Sequence, residues 1–121
     1  YVEIDLTNQR LVVYMKGTPI VDTPIVSGNP NIDGCATPEG CYALDAKESP
    51  AVLTGEDYET NVTYWMPFAG NVGIHDATWR TEFGGNMYQW DGSHGCINVP
   101  YDKAAAIYAN IEVGMPVVVY E

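Results

Sequence analysis

The stretch Ser93-His94-Gly95-Cys96-Ile97-Asn98 places a cysteine in a turn of small residues, directly before the only segment with a convincing helical pattern. A second histidine, His75, lies well upstream in Ile74-His75-Asp76. A cysteine and a histidine that are distant in sequence but meet in space form a thiolate nucleophile and its imidazole base. On residue types alone, this pair is favoured over a buried structural cysteine, and a metal site is least favoured.

The turn itself suits acyl transfer. Successive backbone N–H groups from Ser93 to Cys96 can converge into a concavity that binds anions. Such a concavity predicts a raised thiolate fraction of Cys96 near neutral pH, and the same N–H groups could hold the oxyanion of a tetrahedral intermediate. Gly95 permits close approach of the acyl group and backbone angles that are closed to other residues.

His75 is the predicted base, because it comes from a separate strand, whereas His94 is too close to Cys96 in the turn and is expected to shape the framework. A third group must fix the tautomer of the imidazole. Asp76 is the nearest carboxylate, but adjacent residues on a strand point to opposite faces. A backbone carbonyl is therefore an equally good candidate, and the choice stays open.

The rest of the chain reads as mainly β with one late helix. Alternating apolar and polar residues and β-branched or aromatic runs predict strands, and prolines at 19 and 24 favour an edge or bulged position for the third strand. Pro100 suits a first helical turn, and Gly114 is a predicted terminator. The predicted strands are residues 2–6, 11–15, 18–26, 40–44, 62–68, 71–75 and 116–120, with an excursion over 47–60 and a loop over 79–92.

Length and charge limit the function. The 121 residues suit one domain, residues 1–121, and no apolar run approaches the ~20 residues that span a bilayer. Sixteen acidic residues oppose five scattered basic ones, for a formal charge of −11. Phosphate backbones and anionic membranes need clusters of lysine and arginine, so nucleic-acid binding is not expected. An acidic surface tolerates substrates that carry free amines.

The three cysteines are an odd number. If Cys96 is the nucleophile, Cys35 and Cys41 remain as a possible disulfide across a turn, which would indicate an oxidising compartment. Two unlinked thiols on neighbouring strands are the equal alternative. A zinc site would have to recruit these two cysteines with His75 and Cys96, but the chain has no Cys-x-x-Cys pair and fits structural zinc poorly.

Taken together, these residues resemble the L,D-transpeptidase catalytic domain, or YkuD domain, over essentially the whole chain. The resemblance implies the fold of that family, a β-sandwich of mixed sheets with one late α-helix and a lid-like excursion over the active site. One departure is Asn98, where many relatives carry arginine. The matching residues are Ile4-Asp5-Leu6-x-x-x-Gln9-x-Leu11, Thr37-Pro38-x-Gly40-x-Tyr42, His75-Asp76-Ala77, Trp79, Phe83-Gly84-Gly85 and Ser93-His94-Gly95-Cys96-Ile97-Asn98.

The resemblance further implies a bacterial enzyme that acts outside the membrane on peptidoglycan, without a cofactor or metal. Cys96 would attack a tetrapeptide stem after its third residue, with His75 as base and then acid. Backbone N–H groups of Cys96, Gly95 and His94 would form the oxyanion hole. An amine of a neighbouring stem would resolve the acyl-enzyme into a 3→3 cross-link, and carbapenem β-lactams would acylate the same cysteine.

Other expectations concern the surroundings of the site. The excursion over residues 47–60 corresponds to the family's lid, and Tyr58, Tyr64, Trp65 and Trp79 are candidates for a substrate groove, with a core or framework role as the alternative. Relatives carry other domains upstream, so an excised domain of a secreted or membrane-anchored protein of the cell wall or periplasm is expected. Hydrolysis of stems by the same site and non-catalytic wall binding are the competing functions.

Overall fold

The computed structural model describes residues 1–54 and 59–121. Alternation of apolar and polar residues places every second side chain of the first two strands in the core, as period-two burial requires. In chain order the elements are β1 (Val2–Asp5), β2 (Arg10–Met15), β3 (Thr18–Pro24), β4 (Gly40–Ala43), β5 (Ala51–Thr54), β6 (Glu59–Val62), β7 (Trp65–Ala69), β8 (Val72–Asp76), α1 (Tyr88–Asp91), β9 (Ile97–Val99), α2 (Tyr101–Asn110) and β10 (Pro116–Tyr120).

The described strands form three sheets. The largest has the order β3-β2-β1-β10-β4, with β1 and β10 parallel and the other pairs antiparallel. A second has the order β7-β8-β9, with β8 parallel to β9, and β5 and β6 form a separate hairpin. The mainly β architecture with mixed sheets confirms the predicted fold class, and the prolines of β3 lie in an edge strand, as predicted.

The core lies between the two larger sheets and α2. The first sheet contributes Ile4, Leu11 and Val117, and the second contributes Ile74 and Ile97, all of them fully buried. Helix α2 adds the buried side chains of Ala104 and Ile107. The strands β7, β8 and β9 of the second sheet are buried along most of their length, which is typical of a sheet that is covered on both faces. This sheet carries the candidate site.

The structure differs from the sequence-based expectation in several elements. The excursion over residues 47–60 contains the strands β5 and β6, and α2 ends at Asn110, before the predicted terminator Gly114. The strand predicted over residues 62–68 is broken, because β6 ends at Val62 and β7 begins at Trp65. The loop predicted over residues 79–92 contains the one-turn helix α1, which buries none of its residues and so has no apolar periodicity to reveal it. Helix α2 itself begins after Pro100, whose carbonyl accepts from Ala104 N–H at 2.8 Å, as the sequence predicts.

Candidate active site

The register of two parallel strands brings the predicted nucleophile and base together. Strand β9 follows Cys96 directly, and it pairs with β8 so that His75 lies opposite Asn98. Because side chains alternate along a strand, Cys96 lies on the same face as Asn98, two residues away, and therefore on the face that carries His75. Cys96 and His75 line one cavity of about 250 Å³.

The orientation of His75 is fixed by a backbone carbonyl. Its Nδ1 lies 2.8 Å from the main-chain oxygen of Asp76. A carbonyl only accepts hydrogen bonds, so Nδ1 carries the proton and Nε2 keeps its lone pair. The ring contacts Trp65 and Trp79, with ring centroids 6.0 and 5.9 Å away.

Burial lowers the pKa of His75 below the ordinary value, although the carbonyl and carboxylate of Asp76 oppose the shift. The imidazole is therefore a free base at neutral pH.

The carboxylate of Asp76 has a different role. It accepts hydrogen bonds from the backbone N–H groups of Thr63, at 3.0 and 3.1 Å, and of Tyr64, at 2.7 Å. Of the two candidates for orienting His75, the backbone carbonyl is the one that the structure supports. The carboxylate instead holds the break between β6 and β7, which explains why the strand predicted over residues 62–68 is interrupted.

The thiol of Cys96 is held in its neutral form. Its Sγ donates to the carbonyl of Asn71 at 3.4 Å. Burial raises the pKa of Cys96 above the usual thiol value, and a backbone hydrogen bond from Gly73 only partly opposes this. The prediction of a raised thiolate fraction near neutral pH was therefore wrong, because the cost of desolvating the charge outweighs the backbone donor.

The turn before Cys96 is braced from both sides. Inside it, Ser93 Oγ donates to the carbonyl of Cys96 and accepts from Gly95 N–H at 3.1 Å. Gly95 has φ +137°, a conformation that suits glycine, as predicted. From outside, the buried hydroxyl of Thr37 accepts from Gly28 N–H at 2.9 Å and donates to the carbonyl of Gly95 at 2.7 Å. The Gly95 N–H, one of the predicted oxyanion donors, is thus already engaged by Ser93.

The cavity is closed on one side by the predicted lid. Leu53 of β5 and Thr60 of β6 line it together with the catalytic pair. The base of this hairpin is joined to the domain where Glu48 and Trp65 exchange backbone hydrogen bonds of 2.8 and 2.9 Å. The remaining lining residues are Trp79, Arg80, Gly92, Ser93, His94 and Asn98. The excursion over residues 47–60 therefore contributes a wall of the cavity.

The candidates for the substrate groove separate into three groups. Trp79 lines the cavity and is half exposed, which fits a groove residue. Tyr64 packs against Tyr101 and Tyr108 of α2, and Trp65 is buried against the imidazole, so both belong to the framework. Tyr58 lies outside the described residues.

The other two cysteines differ in their distance from the site. Cys41 is exposed on β4, whereas the backbone carbonyl of Cys35 lies beside Gly28 and Gly95. Cys35, Cys41 and Cys96 are all free thiols, so Cys35 and Cys41 are unlinked, but Cys35 lies in a turn and not on a strand. Within residues 1–54 and 59–121, no three His, Cys, Asp or Glu side chains are placed to hold a metal ion. In the same ranges, no helix is long and apolar enough to cross a membrane.

Three residues of the site have roles that sequence reasoning missed. Thr37 braces the cysteine turn, and its only signal in the sequence was its place in the Thr37-Pro38-x-Gly40-x-Tyr42 turn. Arg80 lines the cavity and its guanidinium donates to the carbonyl of Asp91 at 2.8 Å. Asn98 is 2% exposed, lines the cavity, and its Oδ1 has no hydrogen-bond partner among the described residues.

Comparisons with known proteins agree with this geometry. The family model of the L,D-transpeptidase catalytic domain, YkuD, matches residues 1–119. No curated protein sequence matches the chain significantly.

Three solved structures give the scale of the similarity. A cysteine-to-serine mutant of the Enterococcus faecium L,D-transpeptidase is 40% identical, with a TM-score of 0.92 over 99% of this chain and 49% of that one. The catalytic domain of the E. faecium enzyme, acylated by ertapenem, is 41% identical, with a TM-score of 0.87 over 99% of this chain and 95% of that one. An L,D-transpeptidase from Mycobacterium smegmatis is 26% identical, with a TM-score of 0.82 over 99% of this chain and 58% of that one. The chain thus spans about half of the longer E. faecium chain.

Proposed function

Because the chain belongs to the YkuD family of L,D-transpeptidase catalytic domains, we propose that Cys96 is the nucleophile and His75 the base in peptide transfer on peptidoglycan stems. The observation that carries this proposal is the hydrogen bond between His75 Nδ1 and the main-chain oxygen of Asp76. It fixes the tautomer in which Nε2 is basic, in the cavity that also contains Cys96.

The reaction begins from a neutral pair. The pKa of Cys96 is raised and that of His75 is lowered by burial, so the resting state is thiol and imidazole. When a tetrapeptide stem binds, the thiol proton moves to His75 Nε2 and Sγ attacks the carbonyl of the third residue. The imidazolium then gives its proton to the departing amine of the terminal D-residue, and a thioester to the stem remains on Cys96.

The oxyanion formed in this step needs hydrogen-bond donors. Gly95 N–H is engaged by Ser93 Oγ, so we assign the first donor to Cys96 N–H, and His94 N–H is the second candidate. One such donor is worth about 2.7–4 kcal/mol in enzymes of this kind. The bracing of Gly95 O by Thr37 holds the peptide planes of this turn in place.

The thioester has two possible acceptors. An amine of a neighbouring stem gives the 3→3 cross-link, and water gives hydrolysis by the same site. The formal charge of −11 attracts an acceptor stem through its ammonium group and exerts no net attraction on neutral water, which supports transfer. The proposed setting is the bacterial cell wall or periplasm, where stems are found.

The proposal is tested by intact mass after incubation with ertapenem, the carbapenem that acylates the E. faecium relative. Wild type is expected to gain one adduct, and Cys96→Ala none. Cys41→Ala is the matched control, because it removes an exposed free thiol from β4, in the other sheet. An adduct on Cys96→Ala, or none on wild type, would contradict the assignment.

A second experiment distinguishes transfer from hydrolysis. The enzyme is incubated with a donor tetrapeptide stem, once alone and once together with an acceptor stem that offers a free amine. Transfer predicts that mass spectrometry finds a cross-linked product only when the amine is present. Trimmed stem as the sole product in both reactions would assign the site to hydrolysis.

A further inference from the structure

A second cavity lies beside the catalytic one. Its volume is about 290 Å³, and it is bounded by Trp79, Arg80 and Glu82 on one side and by Trp90 and Asp91 of α1 on the other. Trp79 and Arg80 line both cavities. The two cavities therefore share a wall, and a ligand in one is a neighbour of a ligand in the other. Of the lid residues that the structure describes, 47–54 and 59–60, none lines the second cavity.

The wall of this cavity is built by a buried cation. The Arg80 side chain is 11% exposed, and its Nη1 donates to the carbonyl of Asp91 at 2.8 Å and lies 3.5 Å from the Asp91 carboxylate. These contacts hold α1 against the segment that follows His75. The Nε of Arg80 is buried without a partner in the described structure. A buried donor usually has a partner, and this one belongs to a residue that lines the cavity.

The exposed face of the cavity is aromatic. Trp90 is 75% exposed and Trp79 is 53% exposed. Helix α1 buries none of its residues, so packing of the domain does not account for the tryptophan at position 90. Exposed large apolar side chains that adjoin a cavity mark ligand-binding surfaces more often than isolated ones do.

The chemistry of the cavity fits a sugar ring. A pyranose has a face of C–H groups, which packs on an indole by dispersion, and a rim of hydroxyl donors. The carboxylates of Glu82 and Asp91 supply acceptors at the rim. They disfavour an anionic ligand such as a free peptide carboxylate. An ammonium group is the competing ligand, but the guanidinium of Arg80 in the same wall opposes a second cation.

We propose that this second cavity binds a saccharide ring of the glycan strand that carries the stem, with Trp90 as its stacking platform. The proposal rests on the proposed function, because it takes the catalytic cavity to hold the third residue of a stem. An extended chain advances about 3.3–3.6 Å per residue, so the three stem residues up to the reacting carbonyl place the sugar roughly 10–11 Å from Cys96. Trp79 and Arg80, which line both cavities, place the second cavity next to the first.

Binding is measured directly, without any turnover. The disaccharide of N-acetylglucosamine and N-acetylmuramic acid is titrated into ¹⁵N-labelled protein, and the indole N–H signals of the three tryptophans are followed. The signal of Trp90, assigned with Trp90→Phe, is expected to shift in a saturable manner, and that of the buried Trp65 is expected to stay in place. No saturable shift of the Trp90 signal would overturn the proposal.

Turnover gives the second measurement. The measured quantity is the ratio of kcat/KM for a disaccharide-linked stem to kcat/KM for the free stem. This ratio is expected to be about tenfold in wild type, which corresponds to about 1.4 kcal/mol. In Trp90→Ala it is expected to fall close to one. Trp90→Phe should keep most of the ratio, because an aromatic face remains. Val113→Ala removes another exposed apolar side chain outside both cavities and should leave the ratio as in wild type.

The outcomes separate the subsite from the proposed function. A saturable shift of Trp90 in a protein that does not process stems would support the subsite and contradict the proposed function. If wild type processes stems but its ratio of kcat/KM for the two substrates is one, the proposed function would be supported and the subsite contradicted. If Trp90→Ala slows both substrates equally, or changes only the saturation by the acceptor amine, the cavity binds peptide and the saccharide proposal is wrong.

Discussion

At the scale of single residues, the site is organised by backbone groups around two side chains. His75 is oriented by a carbonyl, the thiol of Cys96 donates to another carbonyl, and Gly95 is held through its own carbonyl by Thr37. Backbone carbonyls carry no net charge, so they fix a tautomer and a thiol rotamer without bringing a further charge into the site. Burial keeps the thiol of Cys96 and the imidazole of His75 neutral.

The neutral resting state predicts how Cys96 responds to pH. Its pKa is raised, so the thiolate fraction is small at neutral pH and grows only as the pH passes the ~8.5 of an ordinary thiol. The rate of alkylation by iodoacetamide, followed by peptide mass, should therefore rise above that pH in native protein. The same peptide in denatured protein should react at lower pH. A native midpoint at or below neutral pH would indicate a thiolate–imidazolium pair instead.

The rate of acylation by a substrate should fall at acidic pH, whereas the rate of alkylation should rise at alkaline pH. The pKa of His75 is lowered below about 6.5, so the imidazole remains a free base down to mildly acidic pH. The rate of acylation by a stem or by ertapenem should fall only below that pH, and His75→Ala should lose most of the rate. A fall that begins at or above neutral pH would contradict the lowered pKa.

Thr37 should act as a positioning residue. Thr37→Val keeps the shape but leaves Gly28 N–H and Gly95 O unpaired in a buried place, which should cost about 1–3 kcal/mol of unfolding free energy. Acylation of Cys96 should slow by about tenfold, equal to about 1.4 kcal/mol of barrier. Thr37→Ser restores the hydroxyl and should restore the rate.

A control separates this effect from loss of stability alone. Thr23 is also buried, and its hydroxyl bonds only to the neighbouring carbonyl of Pro24. Thr23→Val should reduce the midpoint of urea unfolding without changing acylation by ertapenem. Equal slowing in Thr23→Val and Thr37→Val would remove the positioning role.

At the scale of elements, the lid hairpin is held at its base by contacts from three directions. Lys47 donates to the carbonyl of Ile111 at 2.9 Å and lies over the ring of Tyr108, 4.5 Å from its centroid. Glu48 is bridged to Trp65, and the Asp76 carboxylate holds the segment between β6 and β7. The strand that carries His75 thus also sets the position of the lid.

Asp76→Ala tests this link between lid and base. The carboxylate accepts three backbone contacts, and hydrogen bonds to charged groups are worth about 1.5–3 kcal/mol, so urea unfolding should lose about that much. Hydrogen exchange at Thr63 and Tyr64 should accelerate. Asp22→Ala, which breaks an exposed ion pair with Arg10, should cost under about 1 kcal/mol. Unchanged exchange at Thr63 and Tyr64 would show that other contacts hold the lid.

At the scale of the whole molecule, two mixed sheets and one helix support a site without covalent links. The core side chains of both sheets and α2 are fully buried. The three cysteines are unlinked. Titration of denatured, unreduced protein should find three free thiols. A count of one, with Cys35 and Cys41 joined in a peptide map, would contradict the structure.

Much of the fold, and the presence of Cys96 and His75 in one cavity, could be predicted from the chain alone. Alternation in β1 and β2, the prolines of β3 and the pattern after Pro100 are local signals, and they predicted the elements that formed. Cys96 and His75 were predicted as a pair because a cysteine in a small-residue turn and a distant histidine are typical of a nucleophile and its base, and that assignment stays a prediction. Helix α1 and the break after Val62 were not recognisable, because neither has a local signal.

What the sequence determined by itself is therefore the set of local patterns: the strands, the late helix, and the residue types that do chemistry. Only the tertiary structure decided the protonation state and the orientation of these residues. The register of β8 against β9 places His75 beside Cys96, burial keeps both neutral, and contacts between distant segments join Thr37 to Gly95 and Asp76 to Tyr64. Desolvation and hydrogen-bond partners depend on what surrounds a group in space, so they are properties of the packed chain and not of its local sequence.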